Sequence, residues 1–140
     1  DLIQFSFTNG YAVLPRSGTP RSDLEWEVYP KGIYEILKQV KSKFPPQPVM
    51  ILENGIADAS DRLRENFLKD HLFQVSRAIK EGVPVQGYCY WSLMDNFEWS
   101  EGFSPRFGLY EMNYSTLERK PRHSAGVYRD IAESNGFLYN

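Results

Sequence analysis

Val49-Met50-Ile51-Leu52-Glu53-Asn54-Gly55 is the stretch that decides how the chain is read. Four apolar residues lead into a carboxylate and an Asn-Gly turn, the pattern of a buried strand that ends in an acid. So continuous an apolar run suits a parallel sheet with both faces covered. Where parallel strands close into a barrel, chemistry gathers at their C-terminal ends, and Glu53 stands at such an end. Taken by itself, Glu53 is better read as a solvated carboxylate opening a loop, as most loop glutamates are.

Working outward, Phe44-Pro45-Pro46-Gln47-Pro48 stops a preceding helix. Pro30 suits the first turn of that helix. Ile33, Ile36, Leu37 and Val40 line one face of it, opposite Lys31, Lys38, Lys41 and Lys43. Further back, Leu2 to Phe7 reads as a strand, with Asn9-Gly10 as a turn and Arg16 to Leu24 as loop. On the other side of the central stretch, Ser60 or Asp61 is expected to cap a helix from about Asp61 to Glu81. Leu63, Phe67, Leu68, Leu72, Val75, Ala78 and Ile79 form its buried stripe, and Gly82 closes it. Val85 to Trp91 is a third strand, followed by a long aromatic loop, Ser92 to Arg106. Phe107–Met112 and Leu117–Lys120 read as a hairpin. Pro121 then opens a last helix to about Glu133, ended by Asn135-Gly136.

Strand and helix alternate through three βα units, which implies a parallel sheet with right-handed crossovers. Three units cannot close a barrel, since eight need roughly 250 residues. A small open sheet or the last part of a barrel remain the two architectures that fit.

A chain of 140 residues has the size of one domain. Its formal charge of -2 provides no basic footprint for nucleic acid. The single cysteine, Cys89, excludes an internal disulfide framework and fits either a reducing compartment, with the cytoplasm favoured, or simply a fold that needs no bridges. No apolar run reaches the roughly 18 residues of a membrane-spanning helix. A start at Asp1 that runs straight into an apolar strand is expected of an excised or incomplete chain. His71 and His123 fall in helix patterns without metal-ligand spacing, so no metal and no cofactor is expected.

The densest chemical signal is Trp91-Ser92-Leu93-Met94-Asp95-Asn96-Phe97-Glu98-Trp99-Ser100-Glu101-Gly102-Phe103. It sits just past the third strand, at the same end as Glu53. Indole faces stack on the C–H faces of a sugar ring, and carboxylates accept hydrogen bonds from neighbouring hydroxyls. Any one of these residues fits core packing or a solvated loop charge. Their concentration beside a strand-end glutamate points to a site for a neutral polyol.

These residues carry a resemblance. Ile51-Leu52-Glu53-Asn54-Gly55 and Trp91 through Trp99 closely resemble glycoside hydrolase family 1, the β-glucosidase and β-glycosidase family. So do Trp26-Glu27-Val28-Tyr29-Pro30-Lys31-Gly32 and Gly102-Phe103-Ser104-Pro105-Arg106-Phe107-Gly108. The resemblance implies that residues 1–140 are the last three βα units of a (β/α)8 TIM barrel, with parallel strands, outer helices and the N-terminal units absent. It makes Glu53 the nucleophile of a retaining hydrolysis, with Asn54 part of the same signature. It implies Trp91 as the platform under the sugar and Glu98 as the acceptor for hydroxyls 4 and 6. Trp99 would donate its indole N–H to a hydroxyl, and Phe107 would line the same pocket. Relatives acting on 6-phosphorylated sugars lack the acid at Glu98, so a neutral β-glycoside is the implied substrate, with neither nucleic acid nor membrane as partner.

The chain departs from the family pattern in three places. Leu52 replaces the usual Thr before the nucleophile. Ser6-Phe7-Thr8 stands where Asn-Tyr-Tyr-Thr is usual, so the usual phenol is missing and only a short hydroxyl, such as that of Thr8, is left to replace it. The Thr-x-Asn-Glu-Pro motif of the general acid/base is absent, so the complete site is expected to need the N-terminal half of the barrel. A non-catalytic carbohydrate-binding relative is the alternative reading, and a structural remnant a third.

Overall fold

The computed structural model describes residues 2–6, 10–14 and 18–139. Phe7 and Thr8 lie outside the described residues. Strand β1 (Leu2–Ser6) pairs antiparallel with β2 (Gly10–Leu14), in register from Leu2↔Leu14 to Ser6↔Gly10. The expected entry of Leu2–Phe7 into the parallel sheet is therefore replaced, in the described ladder, by a local pairing. Asn9-Gly10 between two apolar runs is a hairpin sequence, and backbone groups pair with the nearest strand available.

The parallel arrangement begins with α1 (Lys31–Lys43), β3 (Val49–Ile51), α2 (Arg64–Lys80) and β4 (Val85–Tyr88). β3 and β4 pair in parallel, with a register shift between Val49 and Met50. Helix α1 starts at Lys31, directly after Pro30, and gives way at Phe44 to extended backbone. That ending follows from the prolines beyond it, which push the residue before them out of helical geometry. Leu37, Val75, Ala78 and Val83 form one buried cluster, with Val49, Ile51 and Val85 packed on it. The helices thus cover one face of the strand pair. On the other face Met50 is 55% exposed and Leu52 70% exposed. The expectation of a strand covered on both faces holds for one face among the described residues.

A second cluster joins Ile56, Phe67, Leu68, Tyr90 and Leu109 beneath the strand ends. The hairpin forms as β5 (Tyr110–Met112) and β6 (Arg119–Pro121), and α3 (His123–Ser134) follows. Asn135, at φ 49, ends α3 in left-handed geometry.

The start of α2 differs from expectation. Asp58, buried, accepts hydrogen bonds from Leu63 N (2.8 Å) and Arg64 N (3.1 Å) and so serves the open donors that Ser60 or Asp61 were expected to cap. Asp61 instead accepts from Ser124 N (3.0 Å) and Ser124 Oγ (2.6 Å), and caps α3. Arg64, with a fully buried side chain, fastens both: it pairs with Asp61 and donates to Tyr90 Oη (2.9 Å), Asp58 O (2.6 Å) and Arg106 O (2.8 Å). Burial works against the charge on Asp58, yet hydrogen bonds from Ser60 and Leu63 and the Arg64 charge outweigh it, and the pKa falls below its usual value.

Candidate active site

The strands continue to touch past their formal ends. Cys89 N donates to Ile51 O (2.8 Å) and Trp91 N to Asn54 O (3.0 Å), which sets the Glu53 segment beside Trp91. Gly55 is required by that approach, because a Cβ there would stand 1.6 Å from the Trp91 carbonyl oxygen. The Asn54 side chain is held in turn, accepting from Tyr88 Oη at 2.8 Å. Burial pushes the Tyr88 phenol well above its ordinary pKa, so it remains a donor at any working pH. Glu53 itself is exposed, and no hydrogen bond or ion pair from another described residue occupies its carboxylate. The peptide bond between Trp91 and Ser92 is cis.

The aromatic loop leaves Trp91 and is stitched to the segment that enters β5. Ser92 N donates to Phe107 O (3.2 Å), Leu109 N to Ser92 O (2.9 Å), and Tyr110 N to Leu93 O (2.9 Å). Phe107 is buried, with its ring centroid 6.1 Å from that of the exposed Trp26, so it meets the site region as packing beneath rather than as open surface. Glu98 and Trp99 stand where the chain turns tightly: Glu98 N donates to Gly102 O (2.7 Å) and Gly102 N to Trp99 O (3.1 Å). Trp99 takes φ 46 and is 79% exposed, a left-handed conformation unusual for a bulky residue and characteristic of functional loops.

The three loop acids have separate fates. Asp95 is wholly consumed by the structure, accepting from Arg122, Gly108 N and Met112 N, so it is a buried structural acid rather than a solvated loop charge. Glu101 is exposed. Glu98 is half-buried, and its Oε2 is buried without a hydrogen-bond partner among the described residues. An unpaired acceptor of that kind costs about 1–3 kcal/mol and is best explained by a ligand group that completes it.

The structure thus brings Glu53, Asn54 and Trp91 to adjoining strand ends and puts Glu98, Trp99 and Phe107 on the loop and return segment beyond. No hydrogen bond joins Glu53 to Glu98 among the described residues. An apolar cavity of about 360 Å³ lies elsewhere, between α2, α3 and the start of β4, lined by Leu72, Ile79, Tyr128 and Ile131 among others. Among the described residues, no group of His, Cys, Asp and Glu is arranged to hold a metal ion. Two features were not legible in the sequence: the Asp95–Arg122 pair, whose members are far apart in the chain, and the placement of Trp26 against Phe107. For Trp26 its position in a shared motif was the available signal.

A parallel strand pair with an exposed acid at its C-terminal end, and a loop of aromatic and acidic residues that continues from the neighbouring strand, defines an α/β protein of the class whose sites open where the strands finish. The chain belongs to glycosyl hydrolase family 1, whose profile matches residues 6–137. It is similar to a beta-galactosidase of Sulfolobus acidocaldarius, 44% identical over 140 residues that cover 91% of this chain and 28% of the relative. Beta-glucosidase A of Thermotoga maritima is 44% identical over 126 residues, covering 84% of this chain and 28% of the relative. A solved structure of a beta-glucosidase from Thermotoga maritima, in complex with methoxycarbonyl-substituted glucoimidazole, superposes with a TM-score of 0.88 at 39% identity, over 97% of this chain and 33% of that one. The chain therefore spans between a quarter and a third of the length of these relatives.

Proposed function

We propose that this chain is the C-terminal part, the last three βα units, of a (β/α)8-barrel β-glycosidase that acts with retention on neutral, terminal β-linked sugars. The observation that carries the reading is the buried, unpartnered Oε2 of Glu98, an acceptor awaiting hydroxyl donors on a loop whose other buried polar groups are satisfied. Glu53 is the nucleophile: its carboxylate attacks the anomeric carbon and the bond to the leaving oxygen breaks. That oxygen takes a proton from an acid outside this chain, and water then opens the glycosyl-enzyme. Trp91 supplies the platform for the ring, Trp99 donates to a hydroxyl, Phe107 packs beneath, and Asn54 fixes the backbone that presents Glu53. Thr8, in place of the usual phenol, supplies a supporting hydroxyl. No cofactor enters this chemistry.

Retaining hydrolysis needs two carboxyl groups about 5–5.5 Å apart. Asp95 is locked by Arg122 and so is withdrawn from that role. The 140-residue chain by itself is accordingly expected to turn over no aryl β-glucoside, whereas the complete protein does. In the complete protein, Glu53→Gly should abolish hydrolysis and azide should restore turnover of an activated substrate by attacking from the vacated side. Near-normal activity of Glu53→Gly without azide would remove Glu53 from the nucleophile role, whereas a complete, unmutated protein that binds β-glycosides but turns none over would favour a binding protein without catalysis.

A further inference from the structure

Asp95 lies between Trp91 and Glu98 in the chain, with a fully buried side chain. Its Oδ1 accepts from Gly108 N (2.9 Å) and Arg122 Nη1 (3.0 Å), and its Oδ2 from Arg122 Nη2 (2.9 Å) and Met112 N (3.2 Å). Arg106 stands at 3.5 Å from the same Oδ2. Arg122 also donates to Gly108 O at 2.7 Å and leads directly into α3. The backbones meet so closely that a Cβ on Gly108 would lie 2.2 Å from Asp95 N. Past Asn96, whose carbonyl accepts from Tyr114 Oη (3.1 Å), the hydrogen bonds of residues 97–103 are internal to the loop. Asp95 is thus the last point before Glu98 at which charge fastens the loop to the body of the molecule. A bidentate guanidinium–carboxylate pair fixes orientation as well as distance, which a single-point ion pair does not.

We infer that the Asp95–Arg122 pair is a positioning device that sets where Glu98 meets the sugar, an inference that rests on the reading of Glu98 given above. Neither residue touches substrate. Both act through the loop, so their loss weakens the contacts made by Glu98 more than it weakens attack by Glu53.

The test compares, in the complete protein, kcat/KM for an aryl β-glucoside with that for its 6-deoxy analogue, which lacks one hydroxyl that Glu98 accepts. The ratio is independent of the fraction of correctly folded enzyme, because both substrates are measured on one preparation. Arg122→Lys and Asp95→Asn should each lower the ratio toward the value of Glu98→Ala, by roughly tenfold, while the thermal transition stays cooperative. Equal losses on both substrates would overturn the inference and leave the pair a purely structural support. An unchanged ratio with unchanged rates would overturn it equally, as would insolubility of both variants, which would assign the pair to folding. Should Glu98→Ala itself leave the ratio unmoved, the assignment of Glu98 to the hydroxyls fails, a distinct result read from a distinct variant.

Discussion

In the proposed sugar site, one side chain, Glu98, is the group expected to set the charge that is accepted. Its buried Oε2 has no hydrogen-bond partner among the described residues, and residues 91–105 contain no Lys or Arg. Arg106, the nearest cation along the chain, is engaged: it lies beside Asp95, donates to Met112 O (3.3 Å) and covers the Tyr114 ring at 4.7 Å. A 6-phosphate brought to Glu98 would meet repulsion of about 4 kcal/mol for each pair of charges near 4 Å at an effective dielectric of about 20. That corresponds to roughly a thousandfold in affinity. The complete protein should therefore prefer an aryl β-glucoside to its 6-phosphate by at least two orders of magnitude in kcat/KM, and a preference for the phosphorylated substrate would displace Glu98 from the hydroxyls. Gly55 makes the complementary point about the backbone. The Glu-Asn-Gly sequence is readable as a turn, but only the structure shows that the glycine is there to admit the Trp91 carbonyl.

Among the elements, α2 carries a pH response. His71 is buried on it, its Nδ1–H donating to Phe67 O at 2.8 Å and its ring stacked on Phe67 at 3.9 Å. Burial lowers its pKa, against a smaller upward pull from the Phe67 carbonyl and Asp70. The neutral ring is the form the fold prefers, so the unfolded chain binds the proton more readily. The stability His71 contributes is complete above about pH 6.5, the unfolded value, and is lost as pH falls from there through the lower folded pKa. Urea unfolding midpoints of the complete protein between pH 7 and pH 5 should decline, and His71→Gln should flatten that decline; parallel slopes would place the response elsewhere. The helices themselves were legible because apolar residues recur at helical spacing between proline and glycine breaks. Their caps were not, because Asp58 and Asp61 act from outside the windows where a cap is sought, one of them on a helix more than sixty positions away. The local pairing of β1 with β2 was hidden for a different reason: an apolar strand reads the same whether its partner is parallel or antiparallel.

At the scale of the molecule, one sheet face is finished and the other is not. Helices α1 and α2 cover Val49, Ile51 and Val85, while Met50, Leu52 and Cys89 stand exposed on the side toward which no described helix packs. The identities of the strand-end acid and the aromatic loop were readable, since local motifs carry them. The open face was not, since an apolar run gives no sign of which side its covering comes from. Exposed apolar side chains on a strand pair are a surface that further strands would bury, as the proposed barrel requires: Met50, Leu52 and Cys89 would then face its interior. Cys89, the chain's single cysteine, reports on this directly. In the isolated 140-residue chain its thiol should react at once with a water-soluble disulfide reagent under native conditions. In the complete protein the same residue, followed by peptide mass mapping, should be modified at least tenfold more slowly, at a rate set by opening of the structure. Equal reactivity in both would mean that this face stays open to solvent, and the assignment of the chain to the closing units of a barrel would not survive it.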